Sequence, residues 1–265
     1  MVNVSRLIGP SIAGILIAVV GEGYCFLLNG VSFLAVLAAL LAMRIPPHHQ
    51  KKITEPVWEG LKEGMVYAFG HVPIRSIILL LALVNLVGMP YTILMPIFAK
   101  NILHGGPHTL GFLMAAVGVG ALAAAVFLAS RKSVRGLGKY IAFSTVIFGA
   151  GLAAFSMSHV FWVSMALMLV TGFGMISQMA ASNTVLQTIA DEDKRGRIMS
   201  LYTVAFRGMA PFGSLLAGSV AGAIGAPVTL FIGGICCVLG ALAYARVVPS
   251  LNRMDTASGV FGPGE

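Results

Sequence analysis

Charged residues are scarce in this sequence, and acidic residues are the scarcest. Only 10% of the 265 residues are charged, with nine Asp and Glu against 17 Lys and Arg, while 58% are hydrophobic. The mean hydropathy is +0.93. A water-soluble fold of this length would lack enough polar side chains to cover its surface. The composition therefore excludes a soluble globular domain and indicates a protein embedded in lipid.

Cysteine and the patterns of catalytic or metal sites are also nearly absent. Cys25, Cys236 and Cys237 fall in apolar segments without a C-x-x-C spacing, which is typical of packing residues. The six His are scattered apart from His48 and His49, so no metal site is expected. No apolar segment contains H-E-x-x-H, paired Asp or a Ser-His-Asp set, so we expect neither an enzyme nor a cofactor.

Long apolar runs separated by short polar breaks dominate the chain. A helix needs about 20 apolar residues to cross a bilayer, and it satisfies its own backbone hydrogen bonds there. The sequence therefore predicts an all-α fold, a polytopic membrane helical bundle. The expected crossings are eight: 2–20, 23–43, 75–99, 109–130, 138–157, 160–182, 198–222 and 226–246.

The Lys and Arg residues concentrate in alternate connections, so their distribution predicts the orientation. Loops rich in Lys and Arg are cytoplasmic by the positive-inside rule, which gives both termini a cytoplasmic location in a bacterial-type inner membrane. Membrane lipid is the expected partner of this charge, and nucleic acid is not, because no folded domain presents it. The basic residues concerned are Arg44, Lys51, Lys52, Lys62, Arg75, Arg131, Lys132, Arg135, Lys139, Lys194, Arg195, Arg197, Arg246 and Arg253.

An internal repeat relates the start of the chain to its end. The segment 6–21 begins Arg-x-x-x-Pro and continues with Ala-Gly and a final Gly, and the segment 207–225 has the same order and nearly the same spacing. The two copies are about 200 residues apart, which matches one six-helix half of a transporter built from parallel repeats. Eight helices then correspond to the last pair of one half followed by all of the other.

Three motifs carry a resemblance to a known family. They are Arg6-Leu-Ile-Gly-Pro-Ser-Ile-Ala-Gly14, Gly88-Met-Pro-Tyr91 followed by Pro96, and Arg195-Gly-Arg-Ile-Met-Ser-Leu-Tyr202. With these motifs the chain resembles the major facilitator superfamily, in the branch that includes the enterobactin exporter. Gly9, Pro10, Ala13 and Gly14 also resemble the end of the antiporter motif G-P-x-x-G-G, from which Ala13 departs.

The resemblance implies a chain that carries the equivalents of helices five to twelve. Residues 1–45 would be the last two helices of the N-terminal half, 46–73 a cytoplasmic linker, 74–249 the six-helix C-terminal half and 250–265 a cytoplasmic tail. Such a chain is not expected to transport by itself. Within the linker, an amphipathic helix is predicted, since apolar and charged residues alternate at helical spacing. The apolar residues are Trp58, Leu61, Met65 and Phe69, and the charged ones are Glu59, Lys62 and Glu63.

Polar residues at membrane depth are expensive and tend to mark pathways, so they are the substrate-pathway candidates. Two explanations stay open for the stripe on the sixth predicted helix, a cavity face or hydrogen bonds between helices. For Arg207, three explanations stay open: attraction of an anionic or catecholate-like substrate, pairing across the two halves, and a position near the headgroups. A ridge of small residues spaced three or four apart predicts close helix packing; it consists of Gly111, Ala115, Gly118, Ala121 and Ala125. The candidates are Asn29, Asn85, Tyr91, the stripe of Thr171, Gln178 and Ser182, and Arg207.

The sequence and the resemblance together predict a secondary active transporter that exports small organic molecules, siderophore- or drug-like, by alternating access. A proton is the possible coupling ion, although the predicted helices contain no Asp or Glu to carry it. The alternatives are a membrane scaffold that transports nothing and an inactive transporter fragment.

Overall fold

A computed structural model describes residues 22–43, 57–131 and 136–246. The first expected crossing at 2–20, with Gly9, Pro10, Ala13 and Gly14, lies outside the described residues, as does the tail at 250–265. The chain divides into two units, Met1–Val57 and Trp58–Glu265.

In the first unit, the structure describes one helix, α1, Glu22–Ala42. It matches the predicted crossing at 23–43. Every side chain described in it, from Leu27 onward, is exposed within the unit, and most are large and apolar. Asn29 is also exposed, and its backbone carbonyl accepts a hydrogen bond from Ser32 Oγ at 2.7 Å.

The second unit contains a short helix followed by six helices long enough to span a membrane. The predictions of an all-α membrane bundle and of these six spans are confirmed. In chain order the helices are α2, Val57–Gly70, then α3, Val72–Ile102, α4, Pro107–Ser130, α5, Leu137–Ser156, α6, Phe161–Ile189, α7, Arg195–Ile224, and α8, Ala226–Ala245.

The largest difference from the predicted boundaries is at the end of α6, which continues past residue 182 to Ile189. Four of the seven extra residues, 183–189, are polar, so the continuous apolar run stops before the helix does. Thr184 Oγ1 donates to the Ala180 carbonyl at 3.0 Å and Thr188 Oγ1 to the Thr184 carbonyl at 2.9 Å. These hydroxyls donate to carbonyl groups of the preceding turn. Their hydrogen-bonding needs are therefore met within a helix that extends beyond its apolar part.

Close contacts between glycine and backbone hold four helices together. A Cβ added at Gly120 of α4 would lie 1.9 Å from the Leu169 carbonyl oxygen of α6. Between α5 and α8, a Cβ at Gly149 would lie 2.6 Å from the Gly234 carbonyl oxygen. Only glycine permits such an approach, which replaces the hydrophobic effect as the source of packing energy inside a membrane. By contrast, Gly111, on the predicted small-residue ridge of α4, has no described atom within 4 Å of the position that a Cβ would take.

Helix α7 is the least enclosed of the six spans. In its most apolar stretch, 17% of the residues are buried inside the unit, against 56% in α3. Besides a large apolar face that includes Phe212 and Leu215, α7 exposes Thr203 and Arg207 on another side. A helix with two exposed sides lies at the edge of the six-helix bundle.

Both α3 and α7 contain a π-helical turn in their length. In α3 the turn is Val84–Gly88, with a second at Phe98–Ile102, and in α7 it is Val204–Gly208. A π-helical turn places one extra residue in the helix, is rare, and is frequent at functional sites. The turns at Val84–Gly88 and Val204–Gly208 contact each other, so the two helices meet where both are irregular.

Candidate functional site

An open cavity of about 350 Å³ lies where these two π-helical turns meet. Residues of α3 form one wall and residues of α7 form the other. The lining residues are Asn85, Met89, Pro90, Thr92, Phe206, Arg207, Ala210 and Ser214.

Glycine and proline shape the cavity walls. A Cβ at Gly213 would lie 2.5 Å from the Leu86 carbonyl oxygen and 3.0 Å from a ring carbon of Pro90, so α7 passes directly against the π turn of α3. Pro90 ends that turn and has no backbone N–H to continue the hydrogen-bond ladder. The helices therefore touch at Gly213 and diverge beside it, and the space between them is the cavity.

Asn85 and Arg207, which the sequence predicted separately, line this cavity together. Asn85 is 3% exposed, and its Nδ2 donates to the Leu81 carbonyl at 2.8 Å. Its second N–H and its carbonyl oxygen remain for other partners. Arg207 lies within the π turn of α7 and is exposed. The cavity thus combines a buried amide with an accessible guanidinium.

The other candidates on α3 and α6 lie apart from this cavity. Tyr91 is buried, and its hydroxyl donates to Met175 Sδ at 3.8 Å. Thr171 donates to the Leu167 carbonyl at 2.8 Å, and Gln178 Nε2 donates to Ser182 Oγ at 3.4 Å.

These four side chains are between 0% and 3% exposed. In this conformation they are buried in the bundle. The hydrogen bonds of Thr171 and Gln178 stay within α6, so they are not the bonds between helices that the second explanation proposed. A role in a substrate pathway stays a prediction for them and for Asn29.

The sequence reasoning missed Thr92, Phe206 and Ser214. Ser214 follows Arg207 by two helical turns, so helical periodicity would have placed it on the same face. Phe206 gave no such signal, because an aromatic residue in an apolar helix is normally a packing residue. Thr92 could have been found from its position two residues after Pro90.

A second polar cluster lies at the basic end of the bundle, by which we mean the end that carries Arg75, Lys139 and Arg246. Glu63 of α2 forms ion pairs with Lys194 and Arg197 at the start of α7. The Cβ that Gly64 lacks would meet Arg197 Cβ at 3.0 Å, so the helix backbone rests directly on this side chain. Helix α2 is therefore docked on the turn between α6 and α7.

Tyr67 adds a hydrogen bond to this docking. Its hydroxyl donates to Asp191 Oδ2 at 2.9 Å and accepts from the Asp191 backbone N–H at 3.4 Å. Burial raises the pKa of the Tyr67 phenol above its ordinary value of 10.0; the backbone bond lowers it in part, and the carboxylates of Asp191 and Asp193 raise it further. The phenol therefore remains a donor throughout the physiological pH range.

The amphipathic character predicted for α2 agrees with this docking. Met65 and Phe69 are 44% and 46% exposed, whereas Ala68 is fully buried against the bundle. The helix thus buries a face of small and polar residues and exposes a separate apolar face. The side chains of Trp58 and Leu61 lie outside the described residues.

Comparison with known proteins identifies the family of the chain. Residues 1–261 match a family described as transmembrane secretion effector. The chain is 28% identical over 245 residues to the staphyloferrin A transporter of Staphylococcus aureus, which covers 90% of this chain and 59% of that protein. It is 30% identical over 268 residues to the multidrug efflux pump Tap of Mycobacterium tuberculosis, covering 97% of this chain and 62% of that protein.

The chain therefore spans about 60% of the length of the curated relatives that it matches. Their names describe a siderophore transporter and a drug efflux pump. Since the family match covers nearly the whole sequence, and six apolar helices form a bundle, the chain is a multi-pass membrane protein that belongs to the transmembrane secretion effector family of the major facilitator superfamily.

Proposed function

We propose that this protein is part or all of a secondary active transporter that exports small organic molecules by alternating access. The observation that carries the proposal is the cavity between the π-helical turns of α3 and α7, which lies within the membrane-spanning bundle. Its volume of about 350 Å³ is at the lower end of the range for small-molecule sites. The names of the relatives support siderophore-like or drug-like cargo.

The construction of the two cavity helices fits a moving part. Glycine contacts with the backbone join α4 to α6, α6 to α5 and α5 to α8, and they also seat the π turn of α3 against Gly213 of α7 and Gly233 of α8. The π turns of α3 and α7 leave carbonyl groups outside the regular ladder, where a helix can bend at low cost. We infer that α3 and α7 bend at their π turns, around the contact at Gly213, when the cavity changes its access.

We also propose that the basic end faces the cytoplasm of a bacterial cell, in its inner membrane, with both termini on that side. The Lys and Arg residues at this end support the orientation. Their charge would also contact anionic lipid headgroups.

Protons are the coupling ion that we propose. Residues 72–190 and 194–245, which contain the six spans, include no Asp or Glu. A titrating carboxylate for proton coupling therefore does not lie in these spans, and within them the cavity supplies binding rather than coupling.

The test is an efflux assay in bacterial cells that lack their own efflux pumps and produce the protein from its complete gene, since residues 1–265 are not expected to transport by themselves. Cells with the protein should retain less of a loaded siderophore or fluorescent drug than cells with an empty vector, and a proton uncoupler should abolish the difference. If the protein reaches the membrane in normal amount and no compound in a siderophore and drug panel is exported, the proposal fails and a non-transporting scaffold is favoured.

A further inference from the structure

We propose that the cavity between α3 and α7 selects small molecules that carry an anionic group, a carboxylate, phenolate or phosphate, and that Arg207 binds this group. The inference rests on the proposed function and names the substrate class of the same cavity. It is carried by the placement of charge along the chain and by the hydrogen-bonding capacity of the cavity wall.

Among the described residues, the lining of the cavity carries one positive charge and no negative one. Among its eight described lining residues, Arg207 is the only charged residue. The nearest acids in the sequence of the spans are Asp191, Glu192 and Asp193, which belong to the turn before α7. An ionised side chain at membrane depth is costly unless it is paired, and an anionic ligand would supply a partner that the described lining residues do not give to Arg207.

The position of Arg207 distinguishes it from the other basic residues of the spans. Arg75, Arg131, Lys139 and Arg246 lie at helix ends, where their charges reach the headgroup region. Arg207 lies inside α7, which has 30 residues. At 1.5 Å per residue the helix is about 45 Å long, against a hydrocarbon core of about 30 Å.

This length fixes the depth of Arg207 when the outer end of α7 is placed at the outer boundary of the core. If Ile224 lies there, the inner boundary falls about 20 residues earlier, near Val204. Arg207 is then about one turn inside the core, at the cytoplasmic mouth of the cavity. A molecule that enters from the cytoplasm meets the guanidinium first.

The neutral groups of the wall add donors around the same position. The Asn85 amide uses one N–H on the Leu81 carbonyl and keeps a second. Ser214 is half-buried and contributes a hydroxyl. The planar guanidinium can bind two oxygens of a carboxylate or phosphate in parallel. Together with the guanidinium, these groups place several donors where the oxygens of an anionic group can accept from them.

A phospholipid headgroup has the same chemistry as a soluble anion, so the experiment separates the two. The probes are carboxyfluorescein, which is anionic, and ethidium, which is cationic. Their binding to the purified protein is measured by fluorescence anisotropy in detergent from which phospholipid has been removed. The variants are Arg207→Gln and Arg207→Lys, with Arg246→Gln as the matched loss of charge at a helix end.

The expected result is that Arg207→Gln weakens carboxyfluorescein binding at least tenfold and leaves ethidium binding unchanged or stronger. Arg207→Lys should keep most of the affinity, and Arg246→Gln should behave as wild type. Equal binding of carboxyfluorescein by Arg207→Gln and wild type would overturn the inference. So would loss of co-purified phosphatidylglycerol, by mass spectrometry, as the sole effect of Arg207→Gln, because the site would then hold a headgroup.

Two further measurements keep the test decisive. If Arg207→Gln does not fold, a competition assay on the wild-type protein takes its place. Benzoate should displace carboxyfluorescein and benzylamine should not. Displacement by benzylamine and not by benzoate would overturn the inference. Efflux of the same dyes from cells separates the two proposals. Export of ethidium without export of carboxyfluorescein would leave the transporter function standing and overturn the anion selectivity.

Discussion

Tyr67 donates a hydrogen bond to the Asp191 carboxylate at 2.9 Å, and this bond joins positions that are 124 residues apart in the sequence. It connects α2 to the turn from which α7 begins. Glu63, one helical turn earlier in α2, pairs with Lys194 and Arg197 in the same region. Helix α2 therefore holds the end of the helix that carries Arg207.

Removing the Tyr67 hydroxyl tests this docking. Tyr67→Phe should increase hydrogen exchange of backbone amides in 57–70, because the loss of the bond to a carboxylate costs about 1.5–3 kcal/mol at most and less in this partly exposed position. Above about pH 10, hydrogen exchange in the wild type should approach that in Tyr67→Phe, since deprotonation of the phenol removes the same donor. Because the pKa of Tyr67 is raised, this change comes above the ordinary pKa of a tyrosine phenol.

Tyr244→Phe is the matched control for the loss of a phenol. The Tyr244 hydroxyl is buried and has no hydrogen-bond partner among the described residues. Its removal should leave the thermal midpoint unchanged or raise it, because an unsatisfied buried group is lost. Equal exchange of 57–70 in wild type and Tyr67→Phe would contradict the docking role.

The membrane orientation can be tested with reporter fusions. A periplasmic reporter such as alkaline phosphatase should be active when fused after Pro107 or Ser158 and inactive when fused after Arg135 or Asp193. The reason is that the latter two positions belong to the loops rich in Lys and Arg. The opposite pattern of activity would mean that the bundle has the inverse orientation, with the mouth of the cavity at Arg207 on the outer side of the membrane.

The glycine contact between α4 and α6 should be sensitive to a single methyl group. In Gly120→Ala the new Cβ would meet the Leu169 carbonyl oxygen at 1.9 Å, so the helices must separate, at a cost of about 1–3 kcal/mol. Gly111→Ala, on the same helix, has open space and should be neutral or slightly stabilising. Thermal unfolding in detergent compares the two, and equal midpoints would contradict the packing.

These two glycines also show what the sequence could and could not predict. The spans were predictable because about 20 apolar residues are needed to cross a bilayer, whatever the neighbours are. The ridge that contains Gly111 suggested packing, but the contact is at Gly120, on a face that only the position of α6 determines. The π turns were not predicted either, and the approach of Gly213 of α7 to the turn of α3 is a contact that only the structure shows.

Gln178 distinguishes a pathway role from a packing role within α6. Its side chain is 2% exposed and bonds Ser182, so Gln178→Leu removes a polar group from the interior of the bundle. If Gln178 belongs to the pathway, Gln178→Leu should lower efflux while the amount of protein in the membrane stays normal. Efflux activity and abundance falling together would instead assign the stripe to packing.

The contact of α7 with α3 at Gly213 should determine whether the cavity exists. In Gly213→Ala the added Cβ would lie 2.5 Å from the Leu86 carbonyl oxygen and 3.0 Å from that of Asn85, both backbone atoms that cannot turn aside. Helix α7 must then move away from the π turn of α3, and Arg207 must move away from Asn85. We expect efflux to be lost and the free energy of unfolding to fall by about 1–3 kcal/mol.

Gly218→Ala is the matched control for that change, because Gly218 is on the same helix and has no described atom within 4 Å of the added position. It should retain efflux and unfold at the same temperature or slightly higher, as expected for alanine in place of glycine in a helix. Efflux by Gly213→Ala at the wild-type rate would mean that the spacing of α3 and α7 does not matter for transport. The cavity between their π turns would then lose its place as the candidate site.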